Sequence, residues 1–309
     1  MANIKPLSEE LQKIACEELN EVPSRIPEDL AALRQWLQLQ PHLKVRDDDQ
    51  FLVQFLRGCK YSLEKAKEKI DLFYSLKSRY PEMFNTTDVK EEEFRKFHRL
   101  GCFQILPKPL HETGPRIAFV RYNYSTKDYN IEDLTKLIVA MVELSIIHDP
   151  YICINGMVYI VDIGSASPSH FLQITPNYCK KSVSFIEKSM PLRIKSLYFI
   201  NNSTAAQQAF RILIPLFSEK LQKRIHFIGH NLEELYSEIP IKYLPKEYGG
   251  ELPSLESITA EYEKTWDENH TFFQENAQYG TDETLRRGKP LDIDGLFGVG
   301  GSFRKINVD

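Results

Sequence analysis

The sequence predicts an α/β fold, a helical N-terminal bundle followed by a domain built on a largely parallel sheet. Two observations carry that reading. From Pro27 to Phe97 apolar residues recur at helical spacing behind acidic or hydroxyl-bearing starts, and after Gly101 β-branched and aromatic runs alternate with long helical stretches. Strands that alternate with helices need crossover connections, which set neighbouring strands parallel. A chain of 309 residues, 42% apolar and 27% charged, has the size and composition to bury a substantial core.

The elements follow in order. Pro27-Glu-Asp-Leu opens a helix through Leu33, Trp36 and Leu37, with acids in the first turn where the helix dipole favours them. Asp47-Asp-Asp-Gln opens a second through Leu52, Phe55 and Leu56, and Ser62-Leu-Glu-Lys caps a third through Ala66, Ile70, Phe73 and Leu76. Expected strands are Phe103 to Leu106, Arg116 to Tyr122, Met157 to Ile163, Ile194 to Ile200 and Arg224 to Ile228. Helices are expected at Ile131 to His148, Ser169 to Lys188, Thr204 to Phe217 and Leu255 to about Ala277. These spans divide the chain into a helical domain at 1–94, an α/β domain at 95–252 and a C-terminal extension at 253–309.

Composition narrows the function classes. Five widely spaced cysteines, with no C-x-x-C pair, read as reduced thiols. The start, with charge and proline in place of an apolar run, reads as a cytosolic beginning without a secretory leader. The longest apolar stretch, Leu137 to Ile147, is eleven residues and contains Glu143. About 20 are needed to span a bilayer, so membrane contact is expected to be peripheral and reversible. A net charge of -4 argues against nucleic acid as a partner, yet Pro191 to Ile225 holds six basic residues and one acid, a local +5.

Motifs for catalysis are absent. The chain has no G-x-S-x-G elbow, no Walker-type phosphate loop and no H-E-x-x-H zinc motif. Gly295-Leu-Phe-Gly-Val-Gly-Gly lacks the strand before it and the helix after it that a nucleotide cradle requires, and reads as a flexible tail. His226 and His230 flank a strand end, where their spacing is too long for chelation. Asp162, at the end of an apolar strand, reads as a turn cap or, less simply, as a catalytic carboxylate. No catalytic residue, metal or cofactor is therefore assigned.

Five ordered motifs carry a resemblance. They are Phe55-Leu-Arg-Gly-Cys-Lys-Tyr-Ser-Leu-Glu-Lys-Ala, Ile174-Thr-Pro, Met190-Pro-Leu-Arg-Ile-Lys-Ser-Leu-Tyr-Phe-Ile-Asn, Leu216-Phe-Ser-Glu-Lys-Leu-Gln-Lys-Arg-Ile and Leu244-Pro-Lys-Glu-Tyr-Gly-Gly. Over residues 28–252 the chain resembles the CRAL-TRIO (Sec14-like) lipid-transfer family, most closely the branch of α-tocopherol transfer protein and cellular retinaldehyde-binding protein. The resemblance implies a sheet forming the floor of an apolar cavity, a mobile helical gate over it, and one enclosed hydrophobic molecule of tocopherol-, retinoid-, terpenoid- or sterol-like kind. Pocket positions carried over from it are Met157, Val161, Ala166, Ile174, Val183, Ile186, Glu187, Met190, Leu192, Ile194 and Leu197. Glu187 departs from an all-apolar wall and either faces solvent or bonds a polar ligand head.

The gate would be Thr204 to Phe217. Ala206, Ala209, Leu213 and Leu216 follow one helical face and Phe210, Ile214 and Phe217 another. Two apolar faces suit a lid that closes over lipid, with Ala206, Ala209, Phe210 and Leu213 inward, and presses on a bilayer through Phe210, Ile214 and Phe217; a fully buried helix would look the same. Pro215 should end or kink it. The resemblance also implies a phosphoinositide site at Arg193, Lys195, Lys220 and Arg224, joined by Lys60 if that lysine substitutes for the basic residue the family places where Cys59 stands. The expected activity is binding and intracellular transfer of one small hydrophobic ligand by a monomer that docks on anionic, phosphoinositide-bearing membranes. The alternative is a module that senses lipid and recruits a protein.

Overall fold

A computed structural model describes residues 2–289, 291 and 292, so the Gly295 stretch lies outside the described residues. Strands are numbered β1 (Leu43–Lys44), β2 (Phe103–Ile105), β3 (Arg116–Arg121), β4 (Met157–Asp162), β5 (Ile194–Ile200), β6 (Ile225–Gly229) and β7 (Gly280–Thr281). β2 to β6 form one sheet in chain order. β2 runs antiparallel to β3, and each later pair is parallel. The parallel pairs force crossovers, supplied by Ile131–His148 between β3 and β4, by the helices of 168–189 between β4 and β5, and by Thr204–Leu213 between β5 and β6.

Local chemistry sets the element ends. Ile131–His148 starts in a reciprocal cap: the Asn130 side chain accepts from the backbone N–H groups of Glu132 and Asp133, and Asp133 accepts from that of Asn130. Asp48 caps Asp49–Gly58 by accepting from the Phe51 N–H. Ser62 precedes Leu63–Arg79 in extended conformation, but its side chain makes no capping bond.

Two expected helices are interrupted. Ser169 to Lys188 is three pieces, Pro168–Gln173, Pro176–Val183 and a π-helical turn Ser184–Ser189, because Pro176 has no N–H to continue the first helix and Thr175 caps a new one. Leu255 to Ala277 divides at Asn269 into Leu255–Glu268 and His270–Asn276. The gate is helical from Thr204 to Leu213 and tightens into a 3₁₀ turn, Ile214–Leu216, around Pro215. Helix Glu9–Leu19 and the β1–β7 pair had no expected counterpart, and Glu92–Arg99 falls at the end of the span expected to be helical without having been bounded. The two-residue strands are too short to leave a periodic signal.

The sheet is covered on both faces. Ile117, Phe119, Val158, Ile160, Tyr198 and Ile228 pack beneath it with Leu235, Tyr243, Leu244 and Leu255. The other face joins the larger core, which runs continuously into the helical bundle through Phe51, Phe55, Phe73 and Phe84. Glu143, the acid inside the apolar run, is buried and bonds Lys77 at 2.7 Å, which explains how a carboxylate sits in that helix. Among the described residues no helix is long and apolar enough to cross a membrane.

Arg57 of the Phe-Leu-Arg motif is only 1% exposed. Its Nε donates to Glu21 at 2.8 Å, and the Tyr61 hydroxyl donates to the same carboxylate at 2.7 Å. Burial pushes the Glu21 carboxyl up, and Arg57, Gln12 and Tyr61 more than reverse it, so the group lies below the usual carboxylate range. Its contribution to stability is therefore complete above the ordinary carboxylate pKa and lost as the pH falls through the depressed one. Glu21→Ala leaves Arg57 buried and unpaired and is expected to lower stability by about 3 kcal/mol in urea unfolding at neutral pH. A loss under about 1 kcal/mol would contradict the assignment of this pair as a structural clamp.

Candidate functional site: an apolar cavity beside a basic cleft

The upper face of the sheet is made by alternate residues in register. Val120, Val161, Phe199 and Phe227 sit opposite one another across β3, β4, β5 and β6, and Leu197 opposes Ile225 one step earlier. A bulge helps to shape this floor. Met157 pairs with Ile194 but Val158 pairs with Ser196, so Lys195 is an extra residue in β5. The slip puts both Ile194 and Leu197 on the floor, which strict alternation would forbid.

Above that floor lies a cavity of about 200 Å³, walled by Ile131, Ile174, Tyr178, Cys179, Ser182, Val183, Ile186 and Glu187 and roofed by Phe210, Leu213, Ile214 and Phe217. The Phe210 ring bridges lid and surroundings, 4.8 Å from Phe199 and 5.7 Å from Phe171. Of the pocket positions expected from the sequence, Val161, Ile174, Val183, Ile186, Glu187, Ile194, Leu197, Phe210 and Leu213 line the cavity. The others fall elsewhere. Met157 and Met190 are core, Ala166 and Ala206 pack against the same core, Leu192 lines the neighbouring cleft, and Ala209 is exposed.

The two-faced lid also needs correction. Phe210, Ile214 and Phe217, expected to meet the bilayer, all face the cavity. The spacing explains it: with Leu213 they stand at i, i+3, i+4 and i+7, a single helical stripe. The outward apolar residue is Ile212, 77% exposed, and Leu172 is 81% exposed on Pro168–Gln173, the helix whose Phe171 touches the lid. Neither was anticipated, because isolated apolar residues leave no periodic trace. Tyr122, Tyr178, Cys179, Ser182 and the aromatic floor residues Phe199 and Phe227 were also missed, although the alternation in β5 and β6 contained the signal for the last two.

Against the cavity lies a second concavity of about 490 Å³, and it is cationic. Lys60, Arg193, Lys220 and Arg224, expected together from the sequence, do line it, joined by Lys65 and Lys69. Lys195 does not line it but is close enough to Arg193, Arg224 and Lys60 to feel their charge. Gly58 makes the convergence possible: a Cβ there would come within 2.5 Å of the Pro191 carbonyl oxygen, so only glycine lets the helix end meet the segment that carries Arg193. The chain then turns through Lys60 and Tyr61, both in the left-handed region at φ 54° and 59°, held by the Tyr61 bond to Glu21.

Cations far outnumber acids in this cleft, where Glu187 is the one acid among the described lining residues. Among the described residues none of the six lining cations, nor Lys195, forms an ion pair. Burial holds Lys69, Arg193 and Lys195 below their usual pKa, with further lowering of Arg193 by Arg224 and of Lys195 by Arg193, and the nearby acids, Glu187 for Lys69 and Glu18 for the other two, only partly offset it. Cys59 adds no countercharge, because burial pushes its thiol up to about 11. Arg193 and Arg224 also donate to the Ile154 and Ile194 carbonyls, which fixes their orientation.

Glu187, Ile194 and Leu221 line both spaces, so the cavity and the cleft share a wall. Ser218, the residue after the lid, donates both its N–H and its hydroxyl to the Glu187 carboxylate, the former at 3.3 Å. Lys69 in turn donates to the Glu187 and Met190 carbonyls at 3.0 and 2.8 Å. Lid end, shared wall and cationic cleft are thus linked by hydrogen bonds. Elsewhere, Asp162 accepts from Gly164 N–H, the Asn201 amide and the Tyr248 hydroxyl at 2.8, 2.9 and 2.6 Å, a turn-fixing role. His226 stacks on Tyr198 at 5.0 Å, and among the described residues no group of side chains is arranged to hold a metal.

Comparison with known proteins agrees with this architecture. Residues 22–94 match the Pinta-like UBA domain and residues 104–250 the CRAL/TRIO domain. Alpha-tocopherol transfer protein-like of Homo sapiens is 29% identical over 258 residues, covering 82% of this chain and 73% of that protein. Clavesin-2 of Mus musculus is 26% identical over 248 residues, covering 80% and 76%. The solved structure of Sfh5 matches with a TM-score of 0.47 at 12% identity, over 85% of this chain and 99% of that one. The chain thus carries a CRAL/TRIO domain at 104–250 behind a helical region, 22–94, that matches the Pinta-like UBA domain.

Proposed function

We propose that the protein encloses one small hydrophobic molecule in the apolar cavity and transfers it between membranes inside the cell, docking on phosphoinositide headgroups through the basic cleft. The observation that carries this reading is the shared wall: a lid over an apolar cavity ends at Ser218, which is held by Glu187 on the rim of a cleft of unpaired cations. Cargo of tocopherol, retinoid, terpenoid or sterol type suits the lining. A cavity of about 200 Å³ is smaller than the roughly 300–1,000 Å³ of pockets that enclose drug-sized molecules, so entry requires the lid to move outward.

Each part has a distinct task in this cycle. Headgroup phosphates enter the cleft, where several cations give charge-assisted bonds worth about 1 kcal/mol each at an anionic surface. Ile212 and Leu172 then meet the headgroup boundary, and lid opening breaks the Glu187–Ser218 contact. The cycle needs no covalent step.

Charge reversal at Lys60 and Lys220, both exposed and lining the cleft, is expected to weaken binding to phosphoinositide vesicles at least tenfold and flatten its salt dependence while sparing ligand affinity. Loss of ligand affinity to the same extent would mean these lysines support the fold. Ile212→Asp with Leu172→Asp is expected to slow movement of labelled ligand from donor to acceptor vesicles several-fold at unchanged one-to-one binding. Ser218→Ala is expected to raise the exchange rate several-fold, since it removes a bond to a charged acceptor that only the closed lid makes. Binding that saturates without any transfer would favour a lipid-sensing module over a carrier.

A further inference from the structure

The cavity wall carries one patch of polarity that the transfer cycle leaves unused. Tyr122 follows β3, Tyr178 and Ser182 stand one turn apart on Pro176–Val183, and all three side chains line the cavity. Ser182 is buried, and its hydroxyl has no hydrogen bond of ordinary geometry, although it lies near enough to Tyr178 to favour that group's ionised form. Tyr122 is buried, and its hydroxyl makes no hydrogen bond among the described residues. A buried hydroxyl without a partner is unfavourable, so the Ser182 hydroxyl, with that of Tyr122 lining the same space, calls for something to satisfy it.

Proton bookkeeping defines what that something is. Thr135 Oγ1 donates to the Ile131 carbonyl at 2.9 Å, so its 2.7 Å contact with Tyr178 leaves Tyr178 as the donor. The remaining lone pairs of Tyr178 can accept. Tyr122 has a proton to give, and Ser182 can act either way. Burial holds the Tyr122 phenol well above its ordinary range, with Tyr178 adding to the shift, raises that of Tyr178, and pushes the Cys179 thiol beside them up to about 11, so the patch is uncharged. Glu187, the only carboxylate among the described lining residues, already accepts from Ser218, and no described cation lines the cavity.

We propose that Tyr122, Tyr178 and Ser182 form a hydroxyl-binding subsite, which selects an uncharged lipid alcohol as cargo and orients its hydroxyl against them, while Glu187 disfavours lipid carboxylates. The proposal rests on the reading of the cavity as a ligand site. A hydroxyl fits better than a carbonyl because it both donates, to Tyr178, and accepts, from Tyr122 or Ser182. A carboxylate finds no cation and meets a like charge.

The test uses the full chain and three ligands of one branched skeleton, phytanol, phytanic acid and phytane, competed at neutral pH against a fluorescent fatty probe. Phytanol is expected to bind at least as tightly as phytane despite its greater hydration, and about tenfold more tightly than phytanic acid. Tyr122→Phe and Ser182→Ala together are expected to weaken phytanol about tenfold and leave phytane unchanged, whereas Ser182→Thr, which keeps the hydroxyl, preserves the preference. An unchanged phytanol-to-phytane ratio in the double variant, equal binding of acid and alcohol, or loss of all three ligands in Tyr122→Phe alone would overturn the subsite. Failure of all three to displace the probe from the unaltered protein would overturn the ligand cavity itself, a result distinguishable from the others.

Discussion

The ring of Phe185 lies flat against Phe84, centroids 4.1 Å apart and 2° from parallel, and stacks at 5.5 Å on Phe73. It belongs to the α/β domain, and both partners belong to the helical bundle. Phe185 sits in the π-helical turn Ser184–Ser189, so the least regular part of the cavity wall is the part held most firmly. A π turn widens the backbone, and its neighbouring carbonyls at Glu187 and Met190 are taken up by Lys69 from the same bundle. Aromatic pairs of this kind add about 0.5–1.5 kcal/mol each beyond the area they bury. The consequence is positional: with Phe185 and Lys69 fixed, Glu187 is presented to the end of the lid, and the lid closes against a rigid partner. The bundle is therefore part of the site.

The same anchoring gives the electrostatics their form. Lys69 lies on a bundle helix, Lys60 and Lys65 around the helix start that precedes it, Arg193 just before β5, and Lys220 and Arg224 after the lid. Segments far apart in sequence supply one cationic concavity only because Gly58 lets the bundle approach Pro191 so closely. Such a concentration of like charge, partly withdrawn from water and with Glu187 as the one acid among its described lining residues, is unfavourable in the isolated protein and favourable once an anion arrives. In the proposed cycle, its place beside the lid end lets a headgroup contact perturb the bond between Ser218 and Glu187.

Much of this was legible in the sequence, and the exceptions have physical causes. Strand positions held to within about a residue because β-branched and aromatic runs bounded by turn residues survive tertiary context. Arg193, Lys220 and Arg224 were visible as a local excess of charge, and Lys60 through the motif that contains it. The long helix drawn across 169–188 ignored Pro176, whose missing N–H the structure uses to bend the wall around the cavity. Lid orientation was misassigned because Leu213 was set on a different face from Phe210, Ile214 and Phe217, although the four share one helical stripe that faces the cavity. Glu187 could be flagged as anomalous, but its partner Ser218 stands thirty-one residues away, a separation that no local pattern reports. The hydroxyl patch was invisible for the same reason, since Tyr122 and Ser182 come to line one cavity only through the fold.

The central claim is that a lipid lies enclosed beneath the lid. Native mass spectrometry of the protein purified from its own source, beside a Leu213→Trp form that fills the cavity from the roof, tests it most directly. The account predicts a single one-to-one lipid adduct in the unaltered protein and its loss in Leu213→Trp, with cooperative thermal unfolding retained. An adduct that survives filling of the cavity, or no adduct in any preparation, would contradict it.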